Sequence, residues 1–309
     1  MTAGILYESN EWSDFALQKN LISMGVPARL IDMQEDGNED EILSSSLVVS
    51  RVFASAVFRG HEKSLQRMPG IIDLLREKNI PMINPYEAHF HEISKQRSTA
   101  ALERGGFPVP KVYGVYTRDR LADAVYTPDG LTDVVYTPDR LSGALAIEYP
   151  CIIKPDCGGR TNHTYIINDE KELSLCLENM PDIEMIAEEY IRPVLGYVTR
   201  LEVIGGAVRL ALKRGIAENG LSAYHLGSGY EAYADLSPAI RDASVGAMGA
   251  LHIEAGSLDI IENENGFFII DANSVSNASE DNTEMFGFDL MKETAAYIAC
   301  RYRELLEVC

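Results

Sequence analysis

A single tryptophan, five cysteines and 27 basic residues against 47 acidic ones mark what this 309-residue chain is short of. The cysteines, at 151, 157, 176, 300 and 309, never fall in a CxxC spacing. That argues against a zinc site or a disulfide framework and for free thiols in a reducing compartment. The deficit of basic residues leaves a net charge of -20, which excludes general binding of nucleic acid and attraction to anionic membrane surfaces. No apolar run approaches the roughly 18 residues that cross a bilayer. The opening "MTAGILYESNEW" lacks the basic region and apolar stretch of a secretory signal, so a cytoplasmic location is expected. What is present is an ordinary globular composition, in a chain long enough for two or three subdomains.

The first third alternates strand and helix. "GILYE", "ARLIDM", "SLVVSRV" and "PMINP" read as strands, and "EKSLQRMPGIIDLLREKNI" has helical spacing that Pro69 breaks or starts. Alternation of this kind predicts a parallel sheet covered by helices. From residue 90 a helix carries Lys95 and stops at Gly105-Gly106, followed by an extended segment. "YPCIIKPDCGGRTNHTYII" reads as strand, glycine turn, strand, with Lys154 ending the first strand, and "MIAEEYI" as a buried strand. "VTRLEVIGGAVRLALKR" is a hairpin turning at Gly205-Gly206, and "AGSLDIIENENGFFIIDAN" a second one turning at Asn265-Gly266. The chain closes on a stretch of helical spacing.

Between these segments stand three consecutive ten-residue copies, "VYTRDRLADA", "VYTPDGLTDV" and "VYTPDRLSGA", residues 115–144. Solenoid units are longer, so the copies read as a tandem duplication lengthening a surface connection, with a lid or partner-binding loop as the sharper alternative.

The second hairpin sets Asp259 on one strand and Asp271 and Asn273 at i and i+2 on the next, so the last two share a face. Three hard oxygen ligands of this kind suit Mg²⁺, which keeps one or two carboxylates and takes phosphate oxygens and water besides. Lys95 and Lys154 could face the phosphates, and the glycines after Lys154 could bring backbone N–H groups close. Taken singly, each feature reads more plainly as a turn, a cap or a solvated edge; order and spacing carry the argument. "SRVFASAVFRGHE" offers Arg51 and Arg59 near the end of the third strand, where parallel sheets bind ligands and arginine suits a carboxylate.

In this order the motifs resemble those of ATP-grasp ligases, closest to the branch of ribosomal-protein glutamate ligases and bacterial glutathione synthetases. The resemblance covers residues 90–290, and the first 85 suit the family's N-terminal domain. It implies an α/β chain, α+β overall, with an N-terminal parallel-sheet domain (1–88), a central lobe holding the repeat insertion (89–186) and a C-terminal antiparallel lobe (187–309), ATP lying between the two lobes. It further implies ATP contacts from Lys95, Lys154, Gly158, Gly159 and Arg160, and an adenine-binding hinge at Glu188, Glu189, Tyr190 and Ile191. Arg200, Lys213 and Arg214 stand as catalytic cations, Asp259, Asp271 and Asn273 as ligands of Mg²⁺ or Mn²⁺, and Arg51, Arg59, Ser276 and Asn277 as substrate contacts.

The sequence departs from the family pattern in four places, the first being Asp271 where the metal triad has Glu. Val198 stands where an acid is common before the strand arginine, the loop "GIAENGLSAYHLGSG" lacks its usual Arg and Asn, and "SVSN" replaces "SPG". The last two lie where substrate would, so a different specificity is implied. The expected chemistry is ATP-dependent joining of a carboxylate to an amine through an acyl phosphate. Its partners are small molecules, with a protein-bound partner or a nucleotide binder without turnover as alternatives, and homo-oligomerisation is left open. Cys157 reads as a loop filler and not a nucleophile.

Overall fold

The computed structural model describes residues 1–118, 147–223, 227–277 and 280–308, so most of the ten-residue repeat lies outside the described residues. Short runs of β-branched and aliphatic residues build the first sheet. Strands β1 (Ala3–Tyr7), β2 (Ala28–Asp32), β3 (Leu47–Arg51) and β4 (Met82–Ile83) pair in parallel in the order β2-β1-β3-β4. Helix α1 (Trp12–Ser23) returns β1 to β2, and α2 (Glu39–Leu43) returns β2 to β3. A 3-10 turn (Ala54–Phe58) and α3 (Glu62–Glu77) then lead to β4. Both faces are covered, as an all-parallel sheet requires: Leu6, Ile31, Met68 and Ile72 fill one side, Ile5, Leu17, Leu21 and Ile298 the other.

Helix α3 runs unbroken through Pro69, whose ring is exposed, so one absent N–H is tolerated on the solvent side where a break or start was expected. Helices α4 (Tyr86–Glu92) and α5 (Lys95–Arg104) follow; the Ser94 hydroxyl caps α5 by accepting from the Arg97 N–H at 3.2 Å.

Two antiparallel sheets complete the chain. The second has the order β5-β8-β6-β7, from β5 (Val112–Tyr116), β6 (Cys151–Pro155), β7 (Tyr165–Ile167) and β8 (Met185–Glu189), with α6 (Glu170–Leu177) on it. The third has the order β11-β10-β9-β12-β13, from β9 (Tyr197–Ile204), β10 (Ala207–Gly215), β11 (Tyr230–Ala232), β12 (Ala255–Asn263) and β13 (Gly266–Asn273). Helix α7 (Pro238–Ala250) precedes β12, and α8 (Glu280–Phe286) and α9 (Leu290–Val308) end the chain.

Gly205 and Gly206 make the β9–β10 turn with φ of 59° and 72°, values that glycine adopts without strain. The β12–β13 turn consists of Glu264 and Asn265, because Asn263 pairs with Gly266. That is one residue earlier than the Asn-Gly signal suggested.

The cores do not follow the expected chain divisions. Residue 186 lies inside β8, the strand between β5 and β6, so a boundary at 186/187 would cut the second sheet. Leu102 of α5 packs with Leu201, Leu258 and Met248 against the third sheet, and α9 packs beside α1 on the first. Asn84, just past β4, binds the third sheet with its whole amide. Oδ1 accepts from Glu254 and Ala255 N–H at 2.8 Å each, and Nδ2 donates to the Ala255 and Ser274 carbonyls at 2.9 and 2.6 Å.

Candidate active site

The second and third sheets face each other across a cavity of about 720 Å³ that also reaches the loops after β1 and β3. One part is lined by aliphatic side chains of facing strands, Ile152, Val198, Leu210, Leu212, Ile261 and Ile270, together with Glu188 to Ile191 of the β8 end. An apolar slot of this kind beside the end of a strand suits a purine ring.

The cations gather next to it. Lys154, on the cavity side of β6, pairs with the buried Glu188 and donates to the Ile270 carbonyl at 3.1 Å. Burial works against its charge, but Glu188 and then Asp271 outweigh it and raise its pKa, so the ammonium stays protonated. Lys95 begins α5 and donates to the Gly158 carbonyl at 2.7 Å, with Asp271 Oδ1 3.8 Å away. Arg200 of β9 and Arg214 of β10 converge on Asp259 of β12 at 3.3 and 2.7 Å. Burial pushes the Asp259 carboxyl up, yet Arg214 and Arg200 together hold it below the usual range.

The loop after β6 approaches the loop after β3. A Cβ on Gly158 would come within 2.6 Å of the Phe58 ring, so only glycine lets this backbone close down there. Gly159 and Arg160 follow along the cavity wall, with Arg160 bridged to Glu11 at 2.9 Å. Burial pushes the Cys157 thiol up to about 11, so it is protonated at neutral pH and no nucleophile.

"DANSVSN" is held from every side. Glu92, fully buried, accepts from Ser274 N–H at 2.6 Å and Ala54 N–H at 3.1 Å. Arg51 donates to the Ser276 carbonyl at 2.7 Å, and the Ser276 hydroxyl donates to Glu202 at 2.6 Å. Ser13 donates to Asn277 Oδ1 at 2.7 Å. Short oxygen-bearing side chains follow this strand because those of Ser274, Ser276 and Asn277 each hydrogen-bond a different neighbour, Glu92, Glu202 and Ser13.

Several expected site residues are placed elsewhere. Alternation along β10 sends Lys213 to the opposite face from Leu212 and Arg214, where its ammonium lies 4.7 and 4.4 Å from the Tyr197 and Tyr233 ring centres. Arg51 is buried, and its guanidinium is taken by Asp14, Ser13 and Ser276. Arg59 is held by Glu8, Ser9 and Glu11. Ser276 turns away from the cavity, whereas Asn277 lines it.

Sequence reasoning missed Glu92, Glu202 and the aromatic wall of Trp12, Phe53 and Phe286. Glu202 was within reach, standing two residues from Arg200 on the same strand face and 3.0 Å from it.

The donor chemistry fits a magnesium ion. Asp259, Asp271 and Asn273 all line the cavity. Asp271 Oδ2 lies 3.5 Å from Asn273 Nδ2, too long for a firm pairing, and turning that amide over would aim its oxygen at the same point. No group of three His, Cys, Asp or Glu able to hold a metal occurs among the described residues. The set is therefore two carboxylates and one amide, which suits magnesium when phosphate oxygens complete the shell.

Three sheets with this topology, closing on two lysines, two arginines and an oxygen-ligand trio, define an ATP-grasp protein. A sequence model of the RimK-like ATP-grasp domain matches residues 134–298, and the chain belongs to that family. It is 27% identical over 175 residues to a D-alanine--D-alanine ligase of Pediococcus pentosaceus, a match covering 53% of this chain and 47% of that protein. The chain thus spans about half the length of the curated relatives it matches. Its fold is similar to the crystal structure of a RimK-domain ATP-grasp protein from Sphaerobacter thermophilus, with TM-score 0.67, 16% identity and coverage of 96% and 99% of the two chains. It is similar also to the D-alanine--D-alanine ligase of Bacillus anthracis, with TM-score 0.66, 14% identity and full coverage of both (100% and 100%). No helix among the described residues is long and apolar enough to cross a membrane.

Proposed function

We propose that the protein is a cytoplasmic ATP-dependent ligase that joins the carboxylate of an amino acid or short peptide to an amine, releasing ADP and phosphate. The observation that carries this is the meeting of Lys95, Lys154, Arg200, Arg214, Asp259 and Asp271 on one cavity, next to an apolar part lined by aliphatic side chains. In this reading the Glu188–Ile191 segment holds adenine, and the two lysines with the Gly158–Arg160 loop hold the triphosphate. Asp259, Asp271 and Asn273 would hold magnesium, which when bound neutralises phosphate charge and orients the terminal phosphoryl group.

A carboxylate oxygen of the substrate attacks the γ-phosphorus, and the bond to ADP breaks. The amine then attacks the acyl carbon, phosphate leaves with the electron pair, and the amine's proton passes to solvent. Arg200 and Arg214 stabilise the negative charge that grows on oxygen in both steps, with the Gly158–Arg160 loop along the cavity wall. Positioning and charge do the work, with no nucleophilic side chain required. Asp259 keeps both guanidiniums aimed inward, and Glu202 holds Arg200 from the other side.

The test is ADP and phosphate formation with Mg-ATP in the presence of an amino-acid pool, alone and with hydroxylamine as a general amine. Formation that depends on added carboxylate supports the reading. ATP consumption equal with and without it, or none in any mixture, overturns it.

A further inference from the structure

The part of the cavity away from the adenine slot is walled by aromatic rings. Trp12 opens α1, Phe53 follows β3, and Phe286 ends α8, where its ring lies 6.3 Å from that of Tyr230 on β11. Val275 adds an aliphatic surface from the stretch after β13. The two arginines that the sequence offered for carboxylate recognition lie behind Phe53. Arg51 stands 5.1 Å and Arg59 5.7 Å from the ring centre, so an apolar ring faces the cavity where a guanidinium was expected.

Their charge is also matched from within. Arg51 pairs with the buried Asp14 at 2.7 Å, and Arg59 pairs with Glu8 and, at 3.3 Å, with Glu11. Arg160 closes on the same Glu11 at 2.9 Å. A ligand carboxylate placed among these groups would compete with Asp14, Glu8 and Glu11 for the guanidiniums and lie beside their negative charge, which is costly in a partly buried site. An alkyl or aryl side chain laid against Trp12, Phe53, Phe286 and Val275 would gain by leaving water.

We infer that this end of the cavity selects a substrate with an uncharged, apolar side chain and rejects one carrying a second carboxylate. The inference rests on the ligase reading and deepens it by naming the substrate class. It separates this chain in specificity from any ligase that adds glutamate. A large apolar side chain fills more of the wall than a methyl group does, and each missing methylene in such a pocket is worth about 10-fold or more in kcat/KM.

The test uses hydroxylamine as the amine and compares leucine, methionine and phenylalanine with alanine, glutamate and aspartate, reading both hydroxamate and ADP. The expected result is a kcat/KM for the best large apolar amino acid at least about 10-fold above alanine, with the acidic pair lower still. Trp12→Ala, at an exposed helix start, and Phe286→Ala should each raise the KM for that amino acid about 10-fold with the KM for ATP unchanged. Two outcomes overturn the inference and leave the ligase reading standing: glutamate or aspartate turning over as well as leucine, or both variants keeping the wild-type KM. Turnover with none of the six while the amino-acid pool supports ADP formation likewise overturns the inference alone, and no turnover in any mixture overturns both.

Discussion

Lys154 is joined to Glu188 in a buried pair reaching diagonally across β6 and β8, where Ile152 is the direct register partner of Glu188. The sequence placed Lys154 at a strand end, and that position reads as a solvated edge which truncation would spare. Its burial was not legible, because the partner stands on a strand that pairs only through tertiary folding. Lys154→Ala should therefore lose ATP binding and also destabilise the fold by about 3–5 kcal/mol, since it leaves a buried carboxylate alone. Lys154→Ala with Glu188→Gln should regain stability without turnover, measured by urea unfolding beside ADP release. Ser276 makes the same point on a smaller scale. Ser276→Ala removes the 2.6 Å hydrogen bond to the buried Glu202 and should cost about 1–3 kcal/mol in urea unfolding, with Asn277→Ala costing less because Asn277 is exposed.

Among the elements, β12 and β13 were the most legible. Alternation fixed their hairpin and put Asp271 and Asn273 on one face, and the register sets Asp259 opposite Asp271. The irregularity between Asp259 and Ile260 was not legible, since a bulge needs no special residue on either strand. Nor was the closeness of the β12 start to the β13 end. A Cβ on Gly256 would come within 2.3 Å of the Asn273 carbonyl oxygen, a backbone atom that can yield only if β13 moves. Gly256→Ala should therefore destabilise the protein by about 1–3 kcal/mol. It should also raise the magnesium concentration needed for half-maximal ADP formation, because Asn273 shifts with its carbonyl. An unchanged magnesium requirement with normal stability would show that the strand end accommodates the methyl freely. For β10 the period of two sorted Arg214 from Lys213 once the pocket face was known, but sequence alone does not say which of two adjacent basic residues points inward.

At the scale of the whole molecule, the parallel first sheet could be read from the alternation of strand and helix and the two hairpins of the third sheet from their turn signals, whereas the crossing of cores between the sheets could not. Helices α5 and α9 carry ordinary apolar stripes, and nothing in a stripe names the sheet it will meet. At the end of α4, His89 is buried and His91 half-buried, and His89 Nε2 and His91 Nδ1 find no hydrogen-bond partner among the described residues. Burial lowers both pKa values to about 4, with Arg97, His252 and Arg104 adding to the effect at His91. Between the ordinary value of 6.5 and about 4 the unfolded chain binds protons that the folded protein does not, so stability falls as pH drops through that window. Glu92 and Glu202 act in the opposite sense, burial raising both of their carboxyls. The histidine contribution is therefore read by difference: stability lost between pH 7 and pH 5 should be smaller in His89→Leu than in the wild type, by urea unfolding at each pH. Equal losses would mean that folded His89 takes up its proton at the ordinary value, as the unfolded chain does.

All of these placements serve one chemical claim, that the substrate carboxylate takes the γ-phosphoryl group of ATP before the amine attacks. The direct measurement follows oxygen. A substrate carboxylate labelled with ¹⁸O is turned over with Mg-ATP and an amine, and the released phosphate is analysed by mass. Transfer through an acyl phosphate puts one ¹⁸O into each phosphate released, and that is the result expected. Phosphate free of label, or AMP and pyrophosphate in place of ADP and phosphate, would contradict the account.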